Sequence, residues 1–118
     1  MDKNQNIYLA TLNAISGFKV LLEERSAKRE ILLILLIACC FWYKQNLYTF
    51  TLVLLSIILI SVEALNSSLE RLCDFLTSDI DPSIRKIKDL AACAVFFLIL
   101  AIIFIFFCWF FNLVNLSN

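Results

Sequence analysis

Residues 90–111, "LAACAVFFLILAIIFIFFCWFF", form a run of 22 residues without a charged side chain. At about 1.5 Å of helical rise per residue, such a run crosses the hydrocarbon core of a bilayer, which is about 30 Å thick. A run of this length and composition is typical of a transmembrane helix. It limits the chain to folds in which at least one helix is surrounded by lipid or by other apolar helices.

Two shorter apolar runs precede it, at 31–43 and 47–62. The whole chain of 118 residues is 62% hydrophobic and 17% charged, whereas soluble domains are nearer to half apolar and a quarter charged. One glycine and one proline in the sequence favour long, uninterrupted helices over a many-turned sheet. We therefore predict an all-α membrane protein with a single membrane domain and three transmembrane helices.

The predicted bounds follow the apolar runs and the snorkelling residues beside them. The second span continues past the membrane as a cytoplasmic helix, because its helical pattern does not stop at the first acidic residue. The predicted segments are span 1 at 30–48, span 2 at 47–65 with its continuation to about 76, a loop at 77–87, and span 3 at 90–111.

The N-terminal region has an apolar stripe of its own. Apolar side chains recur there at steps of three and four residues, as on one face of a helix. The stripe consists of Tyr8, Leu12, Ile15, Phe18 and Leu22. Because a helix of this kind lies in the headgroup region with its apolar face down, we predict an amphipathic interfacial helix over 6–29.

The basic residues predict the orientation. Ten basic and ten acidic residues cancel, so net charge gives no indication of nucleic-acid binding. Of the ten basic residues, only Lys44 lies between the first and second apolar runs, and the other nine lie in the segments on the opposite side. The positive-inside rule then places the N-terminus in the cytoplasm and the C-terminus outside.

The second apolar run leads directly into "EALNSSLERLCD", residues 63–74. On a helix, Glu63, Asn66, Glu70 and Asp74 fall within one narrow stripe, with Ser67 beside it. Stacked carboxylates repel one another unless cations neutralise them, and oxygen ligands without thiolate or imidazole suit Mg²⁺. The alternative is that the first glutamate is an interfacial residue and the other acids face water. The pattern leaves both interpretations open.

The same stretch, with "KIKDLAACAV" after it, resembles the prokaryotic diacylglycerol kinase family. The family signature is Glu-x-x-Asn-(Ser/Thr)-small-x-Glu, then an Asp, and later Lys-Asp before the last span. The matching positions are Glu63, Asn66, Ser67, Glu70, Asp74, Lys88 and Asp89. The upstream "EERSAKRE" is similar to the first acidic block of the family, whose metal-binding residue falls on Glu24, or on Glu23 if the register shifts by one.

The resemblance implies a homotrimer of three-span subunits in the bacterial cytoplasmic (inner) membrane, with active sites shared between subunits at the cytoplasmic surface. ATP arrives from water and the lipid substrate from the bilayer. Glu63 is expected to act as the general base on the lipid hydroxyl. Glu24 and Glu70 are expected to hold Mg²⁺ and, through it, the phosphates of ATP.

Further roles are implied by the resemblance alone. Lys88 is expected to pair with phosphate, and Asp89 to position that lysine or to contact the ribose. Asp79 and Asp81, in the loop with the only proline, are expected to approach the nucleotide. The candidates for binding or orienting substrate are Asn66, Glu30 and Asp74.

The chain also departs from the family pattern. Ile80 stands where many relatives have an aromatic residue or histidine, and Lys86 where many have arginine. Ala91-Ala92 replaces a Gly-Ser pair, which puts a serine–lipid hydrogen bond in doubt but leaves the phosphoryl transfer intact. With one glycine, Gly17, the chain has no glycine-rich phosphate loop, so side chains and metal must bind the phosphates.

Two alternatives remain beside an ATP- and Mg²⁺-dependent diacylglycerol kinase. Members of the family phosphorylate either diacylglycerol or undecaprenol, and "SAKRE" and "EALNSSLE" favour the diacylglycerol branch. The other alternative is a non-enzymatic small membrane oligomer, holin-like or a scaffold. That class accounts for the spans but not for the acidic stripe paired with a downstream Lys-Asp.

Overall fold

The computed structural model describes residues 3–76 and 81–115, and the regular elements in them are all helices. The predicted all-α fold is confirmed. Asp79, expected near the nucleotide, lies outside the described residues. The helices are α1 (Lys3–Leu21), α2 (Arg25–Tyr43), α3 (Leu47–Leu76) and α4 (Pro82–Asn115).

The helix predicted over 6–29 is divided in two, which corrects its C-terminal bound. α1 ends at Leu21, and α2 begins at Arg25 after an extended Glu24 with φ −69° and ψ 138°. No glycine or proline marks the break. Because Leu21 and Ala27 on either side of it are both buried, we attribute the change of direction to tertiary packing. Residues 25–29 therefore form the first turns of α2.

The predicted apolar stripe of α1 is exposed. Among the residues of α1 whose side chains are described, Leu21 alone is buried. All five stripe residues are exposed: Tyr8, Leu12, Ile15, Phe18 and Leu22. An exposed apolar stripe on a helix suits the membrane interface, and the interfacial location of α1 stays a prediction.

Residues 44–46 join α2 to α3 and set the end of span 1. The backbone N–H of Thr49 donates to Oδ1 of Asn46, and the backbone N–H of Asn46 donates to Oγ1 of Thr49, both at 3.0 Å. This reciprocal pair satisfies free N–H groups at the start of α3. The predicted bound of span 1 at residue 48 is therefore too late: α2 ends at Tyr43, and Tyr48 belongs to α3.

The start of α4 corrects the loop predicted at 77–87. Asp81 accepts hydrogen bonds at Oδ1 from the backbone N–H groups of Ser83 (2.6 Å) and Ile84 (3.4 Å). Pro82 is the first helical residue, where its missing N–H and fixed φ suit a helix start. An N-cap aspartate followed by proline thus begins the helix at residue 82, and residues 82–87 are helical.

The core lies along one stripe of α3. Leu52 and Leu59 are fully buried, and Ile37 of α2 and Ile102 of α4 pack with them. Leu52 and Leu59 are two helical turns apart, which keeps them on the same face. α3 is therefore the central helix, with α2 and α4 packed against it and α1 touching it more lightly.

Much of the remaining apolar surface is exposed, as in Phe97, Phe104 and Phe111 of α4. α3 and α4 are each long and apolar enough to cross a membrane. The uncharged part of α2, residues 31–43, follows a first turn rich in charge and is about 20 Å long at 1.5 Å per residue. Three spans and their packing in a trimer stay predictions.

Candidate active site

The site lies where α2 and α4 begin and the polar half of α3 runs alongside them. The buried stripe of α3 that contains Leu52 and Leu59 continues into Glu63 and Asn66. Glu63 is 1% exposed and Asn66 is 9% exposed. The same helical period that buries the apolar core therefore carries a carboxylate and an amide into the bundle.

The first of two adjoining cavities, here called the acidic cavity, has a volume of about 610 Å³. Its walls bring together Glu24 from the start of α2 and Glu63, Asn66 and Glu70 from α3. Several of its lining side chains are exposed, so the cavity reaches the protein surface. The remaining lining residues are Glu23, Arg25, Ser26, Arg29, Ala92 and Val95.

The second cavity, here called the inner cavity, has a volume of about 330 Å³ and lies among α2, α3 and α4. Apolar side chains make up much of its wall, with Glu30 and Glu63 among them. It is lined by Ser26, Arg29, Glu30, Leu33, Glu63, Val95 and Ile99. The residues common to both cavities are Ser26, Arg29, Glu63 and Val95. Glu63 therefore stands where a polar cleft meets an apolar one.

Several polar atoms in these walls are buried without a protein partner. Within the described residues, Oε1 of Glu63, Oε2 of Glu30 and Oδ1 of Asn66 have no hydrogen bond. Buried polar atoms in proteins are nearly always paired, and leaving one unpaired costs free energy. Three such atoms in one region indicate a site built for an external polar group.

Asn66 and Glu70 are joined side chain to side chain. Nδ2 of Asn66 donates to Oε1 of Glu70 at 3.3 Å. The amide thereby orients the exposed carboxylate on the same stripe of α3 and leaves its own carbonyl oxygen free among the described residues. The predicted stripe thus holds for Glu63, Asn66 and Glu70, which line one cavity.

Glu24 is held in place by Arg71. Nη2 and Nε of Arg71 donate to Oε1 of Glu24 at 2.6 and 3.1 Å. This ion pair connects the break between α1 and α2 to the polar half of α3. Ser67, which was expected beside the acidic stripe, is not on the acidic cavity; it lies with Arg71 on a neighbouring cavity between α1 and α3.

Lys88 is paired with an aspartate of α3. Its Nζ forms an ion pair with Oδ1 of Asp74, and this hydrogen bond raises the pKa of Lys88 above its ordinary value. Asp89 is exposed, and among the described residues it makes no ion pair with the lysine. Asp74 on α3 therefore pairs with Lys88. The expected contact of Lys88 with phosphate and the alternative contact of Asp89 with the ribose stay predictions.

Lys88 and Asp89 do not line either cavity, and Asp74 and Asp81 do not line them either. Asp81 acts as the N-cap of α4, so its carboxylate already accepts two backbone hydrogen bonds. The structure thus brings Glu24, Glu30, Glu63, Asn66 and Glu70 together and leaves the α4 candidates at a separate place. Their expected contacts with ATP stay predictions.

The donor set fits Mg²⁺ that brings phosphate oxygens with it. No group of three or more acidic, histidine or cysteine side chains within the described residues is arranged to hold a metal ion alone. Mg²⁺ is commonly held by one or two carboxylates together with substrate phosphates and water. Glu24 and Glu70 supply oxygen donors of that kind on one cavity, and the unpaired Oδ1 of Asn66 adds a third oxygen there.

Sequence reasoning missed one side of the site. Ser26 and Arg29 line both cavities, and Arg25 lines the acidic cavity. The signal was present as a helical spacing: residues 26, 29, 30 and 33 recur at steps of three and four, which is one face of α2. It was hidden because residues 26 and 29 were assigned to the end of an interfacial helix, and residues 30 and 33 to the first span.

Together these features define a small helical membrane protein whose carboxylate-lined site adjoins an apolar cavity. The family model described as "Prokaryotic diacylglycerol kinase" matches residues 12–110. The chain therefore belongs to the prokaryotic diacylglycerol kinase family, a family of lipid kinases, and the resemblance noted from its motifs is confirmed. No match is found among the curated proteins.

Proposed function

We propose that this protein transfers the γ-phosphoryl group of ATP to the hydroxyl of diacylglycerol and so forms phosphatidic acid at the cytoplasmic surface of the membrane. One observation carries the proposal: Glu63, 1% exposed, lies on the wall common to the acidic and inner cavities. A polar nucleotide and an apolar lipid can meet at that residue without either entering an unsuitable environment.

In this reaction the lipid hydroxyl oxygen attacks the γ-phosphorus. The bond from that phosphorus to the bridging oxygen breaks, and its electron pair leaves with ADP. Glu63 accepts the hydroxyl proton through Oε1, the oxygen that has no hydrogen bond within the described residues. A base within hydrogen-bond reach of the proton it removes contributes typically about 10²- to 10⁴-fold to the rate.

Glu24 and Glu70 are the residues proposed to hold Mg²⁺ with the nucleotide. When bound, the metal offsets the negative charge that develops on the phosphoryl oxygens during transfer. Asn66 orients Glu70 through their 3.3 Å hydrogen bond. Arg71 forms an ion pair with Glu24, which lines the acidic cavity.

The proposal includes assembly as a homotrimer in the bacterial cytoplasmic membrane, with the N-terminus inside and the C-terminus outside. The exposed apolar faces of α3 and α4 support burial against lipid or other subunits. The nine basic residues on one side of the predicted spans support the orientation.

The lipid is the least constrained part of the proposal. Undecaprenol is the alternative substrate within the same family, and it too presents a hydroxyl on an apolar chain. We favour diacylglycerol on the "SAKRE" and "EALNSSLE" stretches. The family match supports a kinase over a non-enzymatic membrane oligomer.

The test uses the full chain in mixed micelles with γ-labelled ATP, Mg²⁺ and both lipids in one vessel. We expect label in phosphatidic acid, with less in undecaprenyl phosphate. Preferential label in undecaprenyl phosphate would select the alternative lipid. Folded protein that labels neither lipid would support the non-enzymatic alternative.

A further inference from the structure

One face of α2 lines the two cavities and carries a cation that has no role in the reaction described above. Ser26, Arg29, Glu30 and Leu33 lie on this face, and each lines the inner cavity. Ser26 and Arg29 also line the acidic cavity. Arg29 is thus the basic residue on the wall common to both cavities, in the described part of the chain.

The guanidinium of Arg29 makes no hydrogen bond or ion pair with another side chain in the described part of the chain. The described ion pairs are Arg71 with Glu24 and Lys88 with Asp74. Arg29 makes none, and no side-chain hydrogen bond to it occurs within residues 3–76 and 81–115. Its five donors are therefore free for a ligand. The next residue, Glu30, lines the inner cavity and is itself unpaired at Oε2, and the charge of Arg29 acts on its carboxyl group.

Four carboxylates and two guanidinium groups line the acidic cavity. Glu23, Glu24, Glu63 and Glu70 all line the acidic cavity, and these carboxylates repel a triphosphate. Arg25 offsets this negative charge in the acidic cavity alone, whereas Arg29 offsets it where the acidic cavity adjoins the inner cavity. A planar guanidinium binds phosphoryl oxygens in pairs, which suits it to a group in transfer.

We infer that Arg29 is a catalytic residue that binds the γ-phosphoryl group as it passes from the nucleotide to the lipid hydroxyl. The inference rests on the proposed function. The guanidinium donates hydrogen bonds to the non-bridging oxygens while the new P–O bond forms and the bond to ADP breaks. It exchanges no proton, since the arginine stays charged and Glu63 takes the proton of the hydroxyl. Its stabilisation is greatest when charge is spread over those oxygens.

The test compares Arg29→Gln and Arg29→Lys with Arg85→Gln as the matched control. Arg85 is an exposed arginine in the first turns of α4 that lines neither cavity. We expect Arg29→Gln to lower kcat about 10²- to 10³-fold, with the KM for ATP changed by no more than about threefold, as befits a contact made in the transition state. Arg29→Lys should recover part of kcat, because it keeps the charge but loses the paired donors. Arg85→Gln should match the wild type.

A binding measurement gives a second readout that does not depend on turnover. Aluminium fluoride with ADP and Mg²⁺ mimics the phosphoryl group in transfer, and transition-state analogues bind more tightly than ground-state ligands. We expect aluminium fluoride to increase the affinity for ADP, measured by calorimetry, in the wild type and in Arg85→Gln. We expect that tightening to be lost in Arg29→Gln, with the affinity for ADP alone unchanged.

The contrary results are separable from failure of the kinase proposal. If Arg29→Gln keeps a kcat within about threefold of the wild type and Glu63→Gln is inactive, the arginine assignment falls and the kinase stands. A rise in the KM for ATP at unchanged kcat makes Arg29 a ground-state ligand and also overturns the assignment. If Arg29→Gln does not fold, Arg29→Lys provides the test. A wild-type kcat in Arg29→Lys, together with wild-type tightening of ADP binding by aluminium fluoride, would overturn the role of the paired guanidinium donors. A wild type that phosphorylates no lipid overturns both proposals.

Discussion

The two halves of α3 bury the same face of one helix with opposite chemistry. In the first half, Leu52 and Leu59 are fully buried in an apolar core. In the second half, Glu63 and Asn66 are almost as deeply buried, with Oε1 and Oδ1 unpaired within the described residues. The helix does not change direction between them, since α3 is continuous from Leu47 to Leu76.

The difference teaches which half is organised for stability and which for chemistry. Burying a leucine stabilises the fold through packing. Burying a carboxylate without a partner costs several kcal/mol by order of magnitude, unless it is neutralised or bound. An ionisable group at the edge of a membrane span is by default a functional hypothesis. Substitutions in the two halves should therefore affect activity and stability in opposite ways.

The largest effect is expected from Glu63→Gln. Removing the proposed general base should lower kcat about 10²- to 10⁴-fold, measured as label transferred from ATP to lipid. The midpoint of thermal unfolding in detergent should stay the same or rise, since a buried, unpaired carboxyl group is replaced by an amide of the same shape. Wild-type activity in this variant would remove Glu63 from the mechanism.

Leu59→Ala should do the reverse. It should lower the free energy of unfolding by about 2 kcal/mol, near the low end for buried leucines, because lipid around the bundle weakens the transfer contribution. The kcat per folded molecule should remain near that of the wild type. A loss of activity in the folded fraction as large as that of Glu63→Gln would contradict the division between the two halves.

A smaller effect is expected from Arg71→Gln, which frees Glu24 from its ion pair. The pair is about half exposed on the arginine side, so it contributes no more than about 0.2–1 kcal/mol. The Mg²⁺ concentration for half-maximal activity should rise about 1.5- to fivefold, at nearly constant kcat. Arg85→Gln is the control, and an unchanged Mg²⁺ response in Arg71→Gln would show that the pair does not position Glu24.

The smallest effect is expected from Asp74→Asn. The hydrogen bond from Lys88 to Asp74 raises the pKa of the lysine, so the variant should bring that pKa down towards its ordinary value. A raised folded-state pKa stabilises the fold below the unfolded pKa, and the contribution disappears as pH rises through the folded value. The stability difference between wild type and variant should therefore be present at neutral pH and vanish in strong alkali. NMR titration of Lys88 checks the shift, and an unchanged pKa would contradict the pairing.

The sequence predicted the parts of the site that depend on helical period alone. Glu63, Asn66 and Glu70 share a stripe because their spacing fits a helix, and the structure places all three on one cavity. The continuation of α3 to Leu76 was predicted for the same reason. Glu24 was predicted from the resemblance of "EERSAKRE" to a family motif, and the structure places it on the same cavity.

The rest depended on packing between helices, which a periodic pattern does not contain. The break after Leu21 has no glycine or proline to mark it, so Arg29 was assigned to the wrong helix and its place on the cavities was missed. The ion pair of Lys88 with Asp74 was likewise not predicted, because the distance in space to Asp74 is set by how α3 packs on α4. The start of α4, in contrast, could have been predicted from the sequence, because an aspartate followed by proline is a typical helix start.

The most direct test of the central claim is an experimental structure of the full chain in lipid with a non-hydrolysable ATP analogue, Mg²⁺ and diacylglycerol. We expect the γ-phosphate in the acidic cavity and the lipid hydroxyl within about 2.6–3.2 Å of a Glu63 carboxylate oxygen. Nucleotide bound away from Glu24 and Glu70, or a lipid hydroxyl on the far side of α3 from Glu63, would contradict it.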